Sequence, residues 1–187
     1  MSRATAVSPR EKILAVAGPL FFKEGFRAVG VDRVIAESGV AKATFYRHFP
    51  SKDDLIMAWL DQADAFMAGW MDKAVSGVAD PILALFEAVM AMAGTPQSLG
   101  CTFQGVSSEF PDLGHPNHAA AIASKKRVLA RLEDMAVEAE ATHPRVLAEQ
   151  LYLLIEGAWA SSRIFGRQAP VTHIADAARA LVTAARE

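Results

Sequence analysis

Residues 31–52, VDRVIAESGVAKATFYRHFPSK, impose the tightest constraint on how this chain folds. Val31, Val34 and Ile35 recur at helical spacing, and Asp32 falls in the first turn, where a negative charge suits the positive end of the helix dipole. Ser38-Gly39 stops that helix, and Gly39 can take left-handed backbone angles without a Cβ penalty, so a second helix starts about two residues later. This second helix, Lys42 to Phe49, is only about two turns long and must be held by its neighbours. Its polar face carries Lys42, Thr44, Arg47 and His48, while Phe45 and Phe49 point back toward a core. Pro50 ends it and Ser51 caps the next helix. Lys52 then lies near that helix's start, poorly placed for the dipole and well placed for a phosphate. Such a helix, exposed along its N-terminal half, fits a DNA major groove about 12 Å wide.

From about Arg10 to Trp59, through ILAVAGPLFFKEGF and VDRVIAESGVAKATFYRHFPSKDDL, the chain resembles bacterial transcriptional regulators of the TetR family. The resemblance implies an all-α protein. An N-terminal three-helix helix-turn-helix domain, placed at 9–55, binds DNA as half of a dimer; a larger C-terminal helical domain, placed at 56–187, holds an effector and the dimer interface. Carried over by motif position, Lys42, Ala43, Thr44, Tyr46, Arg47 and His48 lie on the recognition helix, and Lys52 opens the next helix against the DNA backbone. Tyr46 and His48 are expected on phosphates, Thr44 and Arg47 on base edges. No cofactor is implied.

Three residues depart from the family pattern. Gly30 stands where a Ser or Thr usually caps the second helix, and Ala41 replaces the usual Ser cap of the recognition helix. Glycine at an N-cap costs only a few tenths of a kcal/mol, whereas alanine costs roughly 1 kcal/mol. Pro19 falls inside the first helix pattern, where proline costs about 3 kcal/mol in an ordinary interior, so a kink is expected near Ala15 to Pro19.

Charge separates the two halves. Residues 1–52 hold nine Lys or Arg against four acids, a formal +5, and the other 135 residues hold ten against seventeen, or −7. A basic N-terminal third attracts polyanionic DNA, and an acidic remainder keeps the rest off the duplex. Hydrophobic residues make up 52% of the chain, ample for a sizeable core, and alternating β-branched runs are absent, so no strand is expected. No run of 18 apolar residues occurs, and MSRATAVSPREK has no signal-peptide core, so neither export nor a membrane partner is expected. With one cysteine, Cys101, no internal disulfide can form, and a cytoplasmic location is the expectation.

The C-terminal part reads as a series of helices. A long one runs from Ser51 to about Val75, with Leu55, Trp59, Phe66 and Trp70 as one buried stripe. Ile82 to Ala93 forms another, Gly94 to Gly100 a loop, Cys101 to Phe110 a short apolar segment and PDLGHPNH a turn. Helices are then expected over about 117–141, with Ile122, Leu129, Leu132 and Ala136 inward and Lys125, Lys126, Arg127 and Arg131 mostly solvated, and over 144–165 and 171–186. The last two carry the stripes Leu147, Leu151, Leu154, Ala158 and Ile174, Ala177, Leu181, Ala185. By the resemblance these build a homodimer interface; by packing alone they fill a monomer core.

An effector pocket is implied by the resemblance. Phe66, Met67, Trp70, Phe86, Met90, Phe103, Tyr152 and Trp159 are the large, partly adaptable side chains that can line it, or serve simply as core. The polar groups inside apolar runs are Gln104, Glu156 and Arg163; Glu156 and Arg163 either pair with each other or hold a ligand's polar end. Asp112, His115 and His118, with Glu109, have metal-ligand chemistry, but prolines interrupt their spacing and no metal is expected. Nor is an enzyme: no phosphate-cradling glycine loop, HExxH, CxxC or GxSxG is present. The expected function is a repressor whose dimer occupies double-stranded operator DNA and is released by a small apolar effector. Rival readings are a constitutive regulator with a filled C-terminal core and a helical enzyme or carrier with an apolar cavity.

Overall fold

The computed structural model describes residues 7–95 and 98–187. Their regular structure is all helical, as the sequence predicts: α1 (Pro9–Glu24), α2 (Val31–Ser38), α3 (Lys42–His48), α4 (Lys52–Val75), α5 (Pro81–Ala93), α6 (Thr102–Glu109), α7 (Pro116–Glu138), α8 (Pro144–Phe165) and α9 (Ile174–Ala184), with a single 3-10 turn at Gly166–Gln168. The apolar segment read at Cys101 to Phe110 is helix α6, and α9 starts three residues later than its pattern suggests. Pro96 and Gln97, within the expected loop, and the first six residues of the supposed leaderless N-terminus lie outside the described residues. No described helix is long and apolar enough to cross a membrane.

Two compact units divide the chain. The first ends at Ala63 and takes in Gly105–Ala120; the second comprises Asp64–Gln104 and Ala121–Glu187. The first unit is therefore larger than the 9–55 segment, and its packing explains why. Leu55, Ile56 and Leu60 of α4 are buried, the Trp59 ring packs on Phe21 and Phe26, and Phe110 meets Phe26 edge-on. Ser8 caps α1 through a reciprocal box with Glu11, and Pro9 takes the first helical position, where its missing N–H costs nothing. The helix runs unbroken through Pro19 to Glu24. Beside that proline, Gly18 leaves room for the Trp59 indole, which any Cβ there would strike.

In the second unit α5 packs against α8 and α9, and α8 against α9. Ile82, Leu85, Phe86 and Val89 of α5 meet a core that includes Leu147, Leu151, Ile155 and Ala158 of α8 and Ile174, Ala178 and Val182 of α9. Four residues of the expected dimer stripes, Leu147, Leu151, Ala158 and Ile174, thus fill the interior of one subunit, while Leu154, Ala177, Leu181 and Ala185 are half-buried. The outward face of α8 is a separate apolar row one residue out of phase: Val146, Leu153 (67% exposed) and Ile164 (74%), with Gly157 open between them. A helix apolar on two sides gives a periodicity that does not say which stripe faces in. A similar slip affects α4, where Met71 is buried and Phe66 is 65% exposed.

Candidate functional site

The helix-turn-helix is built from a few backbone decisions. Gly39, at φ 66° and ψ 20°, occupies the left-handed region that lets α2 turn directly toward α3. Phe45 and Phe49 are buried with ring centroids 5.9 Å apart, and the Arg10 guanidinium lies over the Phe49 ring. That anchorage fixes which face of α3 looks outward. Lys42, Ala43, Tyr46 and Arg47 are exposed, and Thr44 and His48 are half-buried. Neither Gly30 nor Ala41 makes a side-chain cap hydrogen bond, as their identities require.

The cations of this surface are not equivalent. Arg33 is gripped by Glu24 and Glu37, which hold its guanidinium well above the ordinary arginine value, so its charge is already answered. Lys42 donates to Asp32 at 3.1 Å, which raises its pKa, but both side chains are largely exposed and a surface pair of this kind is easily exchanged for a phosphate. Arg47 has no hydrogen bond or ion pair among the described residues. Lys52 donates to the Arg27 carbonyl at 3.1 Å, and burial lowers its pKa against the pull of Glu109 and Asp53. The same loop is held from its other side by Glu109, whose carboxylate accepts the Phe26 and Arg27 amides at 2.9 and 2.7 Å. Lys52 and Glu109 together fasten the α1–α2 connection.

The Asp112, His115, His118 and Glu109 group is occupied by local contacts. Asp112 accepts the Gly114 amide, His115 accepts the Asn117 amide with its Nδ1 and lies 4.0 Å from Asp53, and the His118 Nδ1 meets the Phe110 carbonyl.

Two neighbouring cavities of the second unit, of about 140 Å³ and about 30 Å³, share Met67, Met71, Ser124 and Val128 as wall. The larger is rimmed by the ion pairs Arg127–Asp64 (2.8 Å) and Arg131–Asp72 (3.2 Å). The smaller brings together five of the expected effector residues, Met67, Trp70, Phe103, Glu156 and Trp159. The others stand elsewhere: Phe66 is exposed, Phe86 is fully buried packing, and Met90, Tyr152 and Arg163 are not in its wall. Arg163 does not pair with Glu156; it donates to the Leu99 carbonyl at 2.9 Å. Glu156 instead receives Lys125 at 2.5 Å and Gln104 at 3.0 Å.

Lys125, expected in solvent, is therefore the main correction to the site. Its side chain is about four-fifths covered and also reaches the Cys101 sulfur at 3.2 Å. Burial works against its charge, but Cys101 and Glu156 outweigh burial and raise its pKa. Burial, with the Glu156 charge adding, pushes the Tyr152 phenol up as well. A signal for Lys125 was present in the sequence: it lies four residues after Ala121 and three before Val128, on the inward side of α7, although it opens the basic run Lys125, Lys126, Arg127.

The sequence profile described as bacterial regulatory proteins, tetR family, matches residues 13–58. The crystal structure of SCO4454, a TetR-family transcriptional regulator from Streptomyces coelicolor, superposes with a TM-score of 0.90 at 28% identity, covering 96% of each chain. Another TetR-type regulator, sav143 from Streptomyces avermitilis, is 34% identical with a TM-score of 0.84, covering 95% of this chain and 98% of its own. The transcriptional regulator YxaF of Bacillus subtilis is 30% identical over 77 residues, so that match spans 41% of this chain and only 40% of that relative's length.

Proposed function

This chain belongs to the TetR family of DNA-binding transcriptional regulators, and from that premise we propose that it is a homodimeric repressor released from a near-palindromic operator by a small, largely apolar effector. The observation that carries this reading is that α4 supplies Lys52, next to the recognition helix in sequence, and also Met67, Trp70 and Met71 of the cavity walls. A ligand that displaces this wall displaces the helix on which Lys52 sits. Thr44 and Arg47 read base edges, Lys42, Tyr46, His48 and Lys52 contact phosphates, and Ala43 allows close approach.

Dimerisation proceeds through the outward row of α8, Val146, Leu153, Gly157 and Ile164, with the part-exposed Leu154, Ala177, Leu181 and Ala185 beside it. Two subunits are needed because a helix-turn-helix reader engages half-sites about 34–36 Å apart, or a multiple of that spacing. The effector must bind the DNA-incompetent state better, and a difference of about 1–3 kcal/mol lowers operator affinity about 5- to 150-fold.

Footprinting on the DNA flanking the chain's own coding region, with and without a panel of small apolar compounds, tests the proposal. A symmetric footprint that fades with at least one compound supports it. A footprint that no compound changes, together with a melting temperature that no compound shifts, points to a constitutive regulator. Leu153→Arg should yield a monomer by sedimentation and abolish the footprint at concentrations where the parent protein protects the site.

A further inference from the structure

The polar end of the cavity has an unbalanced supply of hydrogen-bond donors. An ammonium carries three N–H donors. Among the described residues Lys125 meets the Glu156 carboxylate and the Cys101 sulfur, and a thiol is a weak acceptor. Next to it, Ser124 is 2% exposed and belongs to the wall of both cavities. An acceptor oxygen entering from the cavity would meet the Ser124 hydroxyl and give Lys125 a better partner than sulfur.

Charge decides what kind of oxygen that is. Lys125 and Glu156 already neutralise each other, and Gln104 holds the carboxylate in place. A carboxylate ligand would put a second negative charge against Glu156, and an ammonium ligand a second positive one against Lys125. Either leaves a net charge in a poorly solvated site. A neutral acceptor disturbs nothing. The shared walls Met67, Met71 and Val128 are apolar, the charged rim of the larger space is balanced within the pairs Arg127–Asp64 and Arg131–Asp72, and its 140 Å³ matches a cavity size that accepts a benzene-sized guest.

Resting on the reading of this cavity as the effector site, we infer that it selects small uncharged molecules of about one ring that end in a carbonyl oxygen, with Lys125 and Ser124 as the donors that fix that oxygen. The ring occupies the larger space between α4 and α7, and the carbonyl reaches into the smaller one.

Calorimetric titration of the full chain with acetophenone, ethylbenzene, benzoate and benzylamine tests this, since the four share a ring and differ in their polar end. Acetophenone should bind about tenfold more tightly than ethylbenzene, the effect of one hydrogen bond from a charged donor, and more tightly than either ion. Lys125→Met should remove most of the acetophenone to ethylbenzene preference, leaving only the smaller part that Ser124 supplies, while ethylbenzene still binds. The double variant Lys125→Met/Glu156→Gln should do the same if the single one fails to fold. Ser124→Ala should reduce the ratio by a smaller factor. A ratio of one in the parent protein, an ion that binds best, or a ratio that loss of Lys125 leaves unchanged overturns the carbonyl assignment alone. Failure of all four probes to bind overturns the effector role of the cavity and this inference with it.

Discussion

Glu109 in the first unit and Glu156 in the second are both partly covered carboxylates, and they are held in different ways. Glu109 is bound by two main-chain amides, those of Phe26 and Arg27, whose positions follow from the path of the backbone. Glu156 is bound by two side chains, Lys125 and Gln104, at the edge of a cavity. A carboxylate fixed by backbone can serve only as a clamp. One fixed by side chains can exchange partners when a ligand arrives, so the contrast separates a part that shapes the DNA-reading unit from a part that can respond.

Substitution at these two acids gives the largest expected effects. Glu109→Ala should cost about 3 kcal/mol of stability in chemical denaturation, because two amides lose a charged acceptor at once. No second side-chain change can restore it, since the orphaned donors are main chain. Glu156→Ala should cost about 2 kcal/mol by leaving the Lys125 ammonium with only a thiol. That is below the usual figure for breaking a buried pair, because roughly a fifth of each side chain still meets solvent. Adding Lys125→Met should recover most of the loss, because a pair replaced by apolar groups is often neutral or better. Should the double variant be no more stable than Glu156→Ala, the contrast between clamp and exchangeable pair fails.

Alkaline titration sharpens the same comparison. The folded-state pKa of Lys125 lies above its ordinary 10.5, so the stability it contributes is fully present below that value and is lost as pH rises through the folded value. The parent protein should therefore weaken above about pH 10.5 more steeply than Lys125→Met, as followed by circular dichroism.

Next in size are the DNA-facing cations. If Arg47 reads a base edge as proposed, Arg47→Ala should cost about 1–3 kcal/mol of specific operator affinity and far less nonspecific affinity. Lys52→Ala should weaken both about equally and lower the salt slope by about 1. Arg33→Ala should leave both affinities nearly unchanged, because Glu24 and Glu37 already occupy that guanidinium. Equal loss of specificity from Arg47→Ala and Arg33→Ala in gel-shift titrations would remove the distinction between free and occupied cations.

Much of the helix-turn-helix was legible in the sequence because short-range rules decide it: Gly39 at the turn, Phe45 and Phe49 at core spacing, Pro50 at the stop. The all-helical C-terminal part followed from composition and breakers in the same way. Partner choice was not legible. Nothing local to Glu156 says that its cation comes from α7 rather than from Arg163 on its own helix, and nothing local to Glu109 says that its amides lie some 80 residues earlier in the chain. Which apolar row of α8 faces its own core was not legible for a related reason. Both rows are apolar, and only the packing of α5 and α9 decides which is core.

The smallest expected effects come from the two uncapped helix starts, and they separate backbone from side-chain contributions within the DNA-reading unit itself. Ala41 and Gly30 both sit at extended angles, φ −66° with ψ 143° and φ −81° with ψ 146°, which a capping serine adopts without strain. Ala41→Ser should stabilise the protein by about 1 kcal/mol, and Gly30→Ser by only a few tenths, because glycine is already a tolerable cap and alanine is not. The gain at Ala41 belongs to α3, a helix too short to hold itself, so it should also raise protection of the Lys42 to Phe45 region in hydrogen exchange. Equal gains at the two positions would mean that α3 is ordered by Phe45 and Phe49 alone and that its missing cap costs nothing.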